Sequence, residues 1–154
     1  MTADELTARF REEGLRVTPQ RQCLFRLLSG NAQHPTVDAL YDAARAEMPT
    51  ISLKTVYQTV NDLAAMGEVS LLDLGTGSLR VDPNVETSHQ HLVCSTCGMV
   101  RDIPIGLAPP RLPARYRRRF SVDSVEVIFR GRCDECNRTS TFPESTHRES
   151  IDKE

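Results

Sequence analysis

Residues 88–98 read SHQHLVCSTCG, two histidines spaced H-x-H followed by two cysteines spaced C-x-x-C. A second C-x-x-C pair, Cys133 and Cys136, begins 36 residues after Cys97. Each such turn presents two thiolates from one tight loop, and two turns together can hold a tetrahedral zinc ion. Four ordinary core cysteines are the plainer account, but the paired spacing favours metal, and in a reducing compartment metal over disulfides. Zinc held this way contributes on the order of 10 kcal/mol to folding, enough to support a small sheet domain with little core of its own.

Four sulfurs would saturate that zinc and leave His89 and His91 spare. On an extended x-H-x-H-x segment both imidazoles project to the same side, so together they can hold a second ion. Completing that ion's shell requires donors from elsewhere. Candidates are His34 before a helix, Asp82 at the exit of a hairpin, and Asp102 on the strand after the first cysteine turn. Taken singly, His34 and Asp82 are as readily a cap or a surface group, and spacing alone leaves a shared site as one reading among others.

The elements that must position these groups divide into two textures. Up to about residue 66 the chain reads as helices. In VTPQRQCLFRLL, Thr18 is an N-cap with Pro19 at the first helical position, and Cys23, Leu24, Leu27 and Leu28 make one apolar face. Cys23, the fifth cysteine, is then a core residue rather than a redox group. Thr36 caps a second helix with Val37, Leu40, Tyr41 and Ala44 on one side, and Pro49 closes it. Ser52 caps a third, in which Val56, Val60 and Leu63 face inward with Leu53 and Ala64 flanking, and Gly67 stops it. Its opposite face carries Lys54, Thr55, Tyr57, Gln58 and Asn61, side chains suited to base edges or simply to water.

Next, VSLLDLGTGSLRVD places two apolar runs around Gly75, Thr76, Gly77 and Ser78, a hairpin signal. Three helices and a hairpin are the order of a winged helix-turn-helix, with the third helix in the major groove and Arg80 on the hairpin placed for backbone or minor groove. Arg80 pairing only across the hairpin is the bland alternative. From residue 84 short strands dominate, in HLVCSTCGMVRDI and VDSVEVIFRGRC, and the prolines between them allow a short helix near Arg115 to Arg119. The basic run Arg117, Arg118, Arg119 is expected to be a solvated helix face, with phosphate binding as the alternative. The expected organisation is α+β: a winged helix-turn-helix over residues 1–83, a small α/β domain with a four-cysteine zinc site over 84–142, and a disordered, charged tail over 143–154 that includes His147.

The chain has 154 residues and a formal net charge of −2, from 19 Lys and Arg against 21 Asp and Glu. That balance excludes wholesale coating of nucleic acid, so DNA contact must come from a local surface. No apolar stretch is long enough to span a bilayer, and MTADELTARFREEG lacks the apolar core of a secretory signal, so a cytoplasmic protein with no membrane partner is expected.

The stretches LRVTPQRQ, HPTVDALY, ISLKTVYQTVNDLAAMGEV, RVDP, HQHLVCSTCG, VRDI and GRCDEC resemble the ferric uptake regulator family in its own order and over most of the chain. The resemblance implies a homodimer whose winged helices bind a palindromic operator in double-stranded DNA. Cys94, Cys97, Cys133 and Cys136 would hold structural zinc, and a regulatory metal near the hinge would set the spacing of the two DNA heads. It places His34, Asp82, His89, His91 and Asp102 where the peroxide-sensing branch has three histidines and two aspartates, whereas iron-sensing relatives usually have Glu at the positions of Asp82 and Asp102. A further site of many iron sensors is not expected, because Gln90 and Val125 stand at its places. Ser88 replaces the His of nickel sensors, and Val81 replaces an aromatic residue. Three imidazoles and two carboxylates without a thiolate suit iron(II) or manganese(II). The implied function is a metal-dependent repressor that responds to peroxide by oxidation of its own His34 or His89, not a turnover enzyme. A repressor that reads iron availability is the alternative.

Overall fold

The computed structural model describes residues 1–75, 77–85, 87, 89–108, 111–122 and 125–139. The expected tail over 143–154, with His147, lies outside the described residues, as does Ser88.

Four helices build the first half: α1 (Ala3–Glu12), α2 (Pro19–Leu28), α3 (Val37–Glu47) and α4 (Leu53–Ala65). Each begins on a hydroxyl cap. Thr18, Thr36 and Ser52 accept hydrogen bonds from the backbone N–H groups of Arg21, Ala39 and Thr55, each such cap being worth about 1 kcal/mol. Helix α1 is an addition to the three helices expected. Thr2 and Glu5 form a reciprocal capping box at its start, and its Leu6 and Phe10 are buried. The Phe10 and Phe25 rings meet at 4.8 Å between centroids, which ties α1 to α2. Cys23 is buried in this core among Leu24, Phe25, Leu28, Leu40, Val56, Val60 and Leu63. Burial, reinforced by nearby Glu47, pushes its thiol pKa up, in keeping with an inert packing role. Gly67, at φ +75°, turns the chain out of α4.

Strands β1 (Ser70–Asp73) and β2 (Leu79–Asp82) form the antiparallel wing hairpin that follows α4. Strands β3 (Gln90–Cys94), β4 (Val100–Ile103) and β5 (Ile128–Gly131) form a second sheet in the order β4-β3-β5, antiparallel on one side of β3 and parallel on the other. A four-residue α5 (Ala114–Arg117) precedes β5. Helix α6 (Asp134–Thr139) follows it, where only strand and turn are expected from the sequence. Strand β5 is also shorter than the run VDSVEVIFRGRC suggests, beginning only at Ile128.

The sheet has almost no interior of its own. Its buried side chains Val93 and Val100 pack with Leu72 and Leu74 from the wing, with Ile128 alongside. The second half is therefore held by the wing on one side and by whatever its cysteines bind. The fold is α+β, a winged helix-turn-helix joined to a small sheet.

Candidate metal centre

Cys94 ends β3, Cys97 sits in the turn to β4, Cys133 follows β5 and Cys136 lies in the first turn of α6. The parallel pairing of β3 with β5 sets Cys94 opposite Gly131 and so brings the two C-x-x-C turns together. The four sulfurs lie within 4.8 Å of one another, with Cys97 Sγ 3.7 Å from Cys133 Sγ. Ligands about 2.3 Å from a tetrahedral zinc are about 3.8 Å apart, so the cluster has the size zinc requires. Backbone N–H groups of Cys97 and Cys133 lower the Cys94 thiol to about 6, whereas its sulfur contact with Cys133, with burial, raises Cys136 to about 12. Four thiolates this close cannot all ionise alone. A divalent cation that displaces the protons resolves the conflict.

The second cluster lies at the junction of the two halves. His34 comes from the α2–α3 loop, Asp82 from the end of β2, His89 and His91 from the entry to β3, and Asp102 from β4. The antiparallel register puts His91 directly opposite Asp102. His34 is fully buried and holds φ +49° ahead of Pro35, the only positive φ at a non-glycine residue among those described. Such a conformation costs on the order of 1–3 kcal/mol and persists where the surroundings impose it.

Three imidazole Nε2 atoms and the two carboxylates converge. His89 Nε2 is 3.2 Å from His91 Nε2 and 3.0 Å from Asp82 Oδ2, and His34 Nε2 is 2.7 Å from Asp102 Oδ1 and 3.4 Å from Asp82 Oδ1. His91 Nε2 is 3.4 Å from Asp82 Oδ2 and 3.7 Å from Asp102 Oδ1. One donor atom from each of His34, His89, His91 and Asp102 falls within 4.8 Å of the others, and Asp82 joins at the edge of that group through its contacts with all three histidines. Donors about 2.1 Å from one cation, at right angles, are about 3 Å apart.

The chemistry of these atoms supports the same conclusion. His34 Nδ1, His34 Nε2 and Asp102 Oδ1 are buried without a hydrogen-bond partner among the described residues, although Nε2 and Oδ1 are in contact. His89 Nδ1 lies 2.7 Å from the Thr87 carbonyl, which can only accept, so the ring proton is on Nδ1 and the Nε2 lone pair faces Asp82 and His91. Lone pairs and carboxylate charge aimed at one point repel unless a cation sits there. Without metal, protons serve as substitute. Burial works against a charged His89, but the Thr87 carbonyl, Asp102 and Asp82 outweigh it and raise its pKa. Burial lowers His91, with the neighbouring imidazoles assisting. Asp82 falls to about 2: burial opposes ionisation, but His34, the Asn84 N–H and His89 more than offset it.

Asn84, which reads in the sequence only as the end of a Pro-Asn turn, is a positioning group for three of these residues. Its backbone N–H donates to Asp82 Oδ1 (2.8 Å), its side-chain amide donates to Asp102 Oδ2 (3.2 Å) and lies 3.4 Å from His89 Nδ1, and Thr87 Oγ1 donates to its Oδ1 (2.8 Å). No motif marks such a residue in advance.

Residues 12–106 match the ferric uptake regulator family. The chain belongs to that family. It is 33% identical over 138 residues, 86% of this chain and 90% of the relative, to a peroxide-responsive repressor PerR of Staphylococcus aureus. Its fold is similar to the ferric uptake regulator Fur of Helicobacter pylori, with a TM-score of 0.68 at 20% identity, covering 89% of this chain and 95% of that one. It is also similar to a zinc-bound manganese uptake regulator, with a TM-score of 0.64 at 26% identity, covering 86% and 99%. As a ferric uptake regulator family member the chain has two places for metal, the thiolate cluster suited to zinc and the nitrogen and oxygen cluster suited to a regulatory ion.

On the face expected to meet DNA, Lys54, Tyr57, Gln58 and Asn61 are exposed along α4. Thr55 is half-buried, with its hydroxyl 2.9 Å from the capping Ser52 hydroxyl. Thr59, absent from the expected inward set, is buried and donates to the Thr55 carbonyl, while Leu53 turns outward. Asp62, the one acidic residue of α4, is paired with Arg21 at 2.8 Å. Arg80 departs from expectation. Its guanidinium points inward to two backbone carbonyls, those of His34 (2.9 Å) and Gly98 (2.6 Å), and is spent there instead of facing a duplex or pairing across the hairpin. Arg117 to Arg119 lie exposed at the end of α5. Among the described residues no helix is long and apolar enough to cross a membrane.

Proposed function

We propose that the chain is a homodimeric, metal-dependent transcriptional repressor of the cytoplasm that binds a palindromic operator and responds to peroxide. The observation that carries this reading is the convergence of three imidazoles and two carboxylates, without a thiolate, at the junction of the winged helix and the sheet. An ion there would hold one arrangement of the DNA-reading half against the sheet, so metal and DNA favour the same state and each strengthens the other's binding. Cys94, Cys97, Cys133 and Cys136 hold zinc for structure; His34, Asp82, His89, His91 and Asp102 hold iron(II) or manganese(II). Lys54, Tyr57, Gln58 and Asn61 are the groups available to base edges, with Thr55 partly committed to its cap.

Two copies associate through the sheet. Leu92 and Phe129 are paired across β3 and β5 and are 37% and 38% exposed, an apolar pair that a second copy would cover.

Iron(II), held by these five side chains, would supply the redox chemistry that turns peroxide on the nearest imidazole, the ring itself giving up the two electrons overall. In the net change one oxygen of hydrogen peroxide ends on a ring carbon of His34 or His89 and the other leaves as water. The oxidised ring is a poorer ligand, and the ion and the DNA-binding arrangement are lost together. The S. aureus relative named as peroxide-responsive supports this branch. The alternative, release on iron scarcity alone, is supported by the same donor set and by the fold shared with iron and manganese uptake regulators.

The deciding experiment treats the iron(II) form, bound to a promoter fragment selected from its own genome, with hydrogen peroxide. DNA release with one added oxygen on the peptides containing His34 or His89 is expected. Release with both peptides unchanged in mass would leave the availability reading.

A further inference from the structure

Arg80 sits two residues before Asp82 on β2, so its side chain leaves the same face of the strand. The backbone beside it is stitched to the loop carrying His34: Val81 N–H donates to the Pro35 carbonyl at 2.9 Å, and Thr36 bridges to Arg80. The guanidinium then takes the carbonyl of His34 itself at 2.9 Å, fixing from the outside the peptide whose φ of +49° turns the imidazole into the cluster. Its other terminal nitrogen reaches the carbonyl of Gly98 at 2.6 Å.

Gly98 closes the Cys94–Cys97 turn, donating its N–H to the Cys94 carbonyl at 2.9 Å. It holds φ +71°, and a Cβ there would stand 3.4 Å from Arg80 Nη2, tight against the guanidinium. Glycine therefore answers both the turn and the approach of the arginine. Arg80 Nε is buried as well, so the guanidinium is directed into the molecule and not presented to solvent.

We infer that Arg80 is a positioning residue that links the two metal clusters, holding the His34 peptide with one arm and the zinc turn with the other. An ion that fixes His34 thereby stiffens the Cys94–Gly98 turn, and an ordered turn presents a preformed His34. The fork of a guanidinium spans two carbonyls in fixed geometry, which the single ammonium of lysine does not reproduce. The inference rests on metal occupancy at the His and Asp cluster as proposed above.

The test compares zinc-replete wild type, Arg80→Ala and Arg80→Lys. Manganese(II) affinity is read by titration, zinc by elemental analysis, and amide exchange over residues 94–98 with and without manganese(II). Zinc is expected to stay. Manganese affinity is expected to fall about 10–100-fold in the alanine variant, the usual cost of losing a group that orients a metal ligand, with partial recovery in the lysine variant. Manganese is expected to slow exchange over 94–98 in wild type only. Unchanged affinity together with unchanged protection would overturn the inference, and unchanged affinity with lost DNA binding would return Arg80 to the duplex. If the alanine variant fails to keep zinc, the lysine variant carries the same comparison. A wild type that takes up no manganese would overturn the parent reading and this one together, whereas wild-type binding matched by both variants overturns this one alone.

Discussion

His34 Nε2 lies 2.7 Å from Asp102 Oδ1, yet both atoms are without a hydrogen-bond partner among the described residues. Two polar atoms that touch without bonding are the expected arrangement of two ligands aimed at a common cation. One comes from a loop between helices and the other from a strand some seventy positions later, so the ion they share would join the two halves of the molecule.

His91→Ala should abolish tight manganese(II) binding and leave zinc in place, because the two clusters share no donor. Elemental analysis of anaerobically purified protein should give unchanged zinc with manganese lost. Loss of both metals would mean that the clusters do not act separately.

Asn84→Ala should weaken the regulatory ion about 10–100-fold, since Asn84 orients Asp82, Asp102 and the His89 segment without offering a ligand of its own. Its backbone N–H survives the substitution, so stability should fall by only about 1 kcal/mol. Manganese titration alongside thermal melting separates the two effects.

Cys133→Ser should remove zinc and unravel the sheet, whose Val93 and Val100 are the residues it packs against Leu72 and Leu74 of the wing. Amide exchange should show residues 90–103 opening while the core of the helical half, a separate cluster of fifteen buried residues that includes Val81 of the wing, stays protected. A protected sheet in this variant would mean that zinc is not what holds it.

Tyr57→Ala should weaken operator binding by about 1–3 kcal/mol with both metals retained, as the exposed ring lies on the α4 face and Tyr57 is a member of neither cluster. DNA binding by anisotropy, with metal analysis of the same sample, checks both halves of the expectation.

In the metal-free protein His89 should titrate above the ordinary imidazole value of 6.5 and His91 below it. The His89 contribution to stability is then complete below about pH 6.5 and lost as pH rises through its raised pKa; the His91 contribution runs the other way, lost as pH falls through its lowered one. These opposed terms partly cancel in stability but not in metal affinity. Manganese binding requires both rings neutral and should strengthen as pH rises through this window. Nitrogen-15 spectra of the two imidazoles, followed through a pH titration, would show the order directly, and coincident titrations would contradict it.

What was legible in the sequence was local. The zinc cysteines are paired within three residues, and the caps Thr18, Thr36 and Ser52 are separated from the amides they bind by three residues. The alternation H-x-H likewise places His89 and His91 on one side. Helix α1 carries a local signal too, Thr2 with Glu5 three positions on, but it lies in a charged segment whose apolar residues Leu6 and Phe10 gain meaning only once Phe25 is packed against them. The convergence of His34, Asp82 and Asp102 is set by how the wing docks on the sheet; residue type makes each a candidate donor, but only the family resemblance joins all three to His89 and His91. The same docking decides where Arg80 points: a hairpin arginine suggests phosphate until the sheet supplies Gly98 as its partner. Asn84 had no signal, because its role depends on three ligands that meet only in the folded chain.

Anomalous diffraction at the manganese edge, from crystals of zinc-replete protein grown with manganese(II), tests the central claim most directly. A single manganese peak is expected within about 2.3 Å of donors from His34, Asp82, His89, His91 and Asp102, with no sulfur in its shell. Manganese bound elsewhere, or those five side chains directed away from any common ion, would contradict the account.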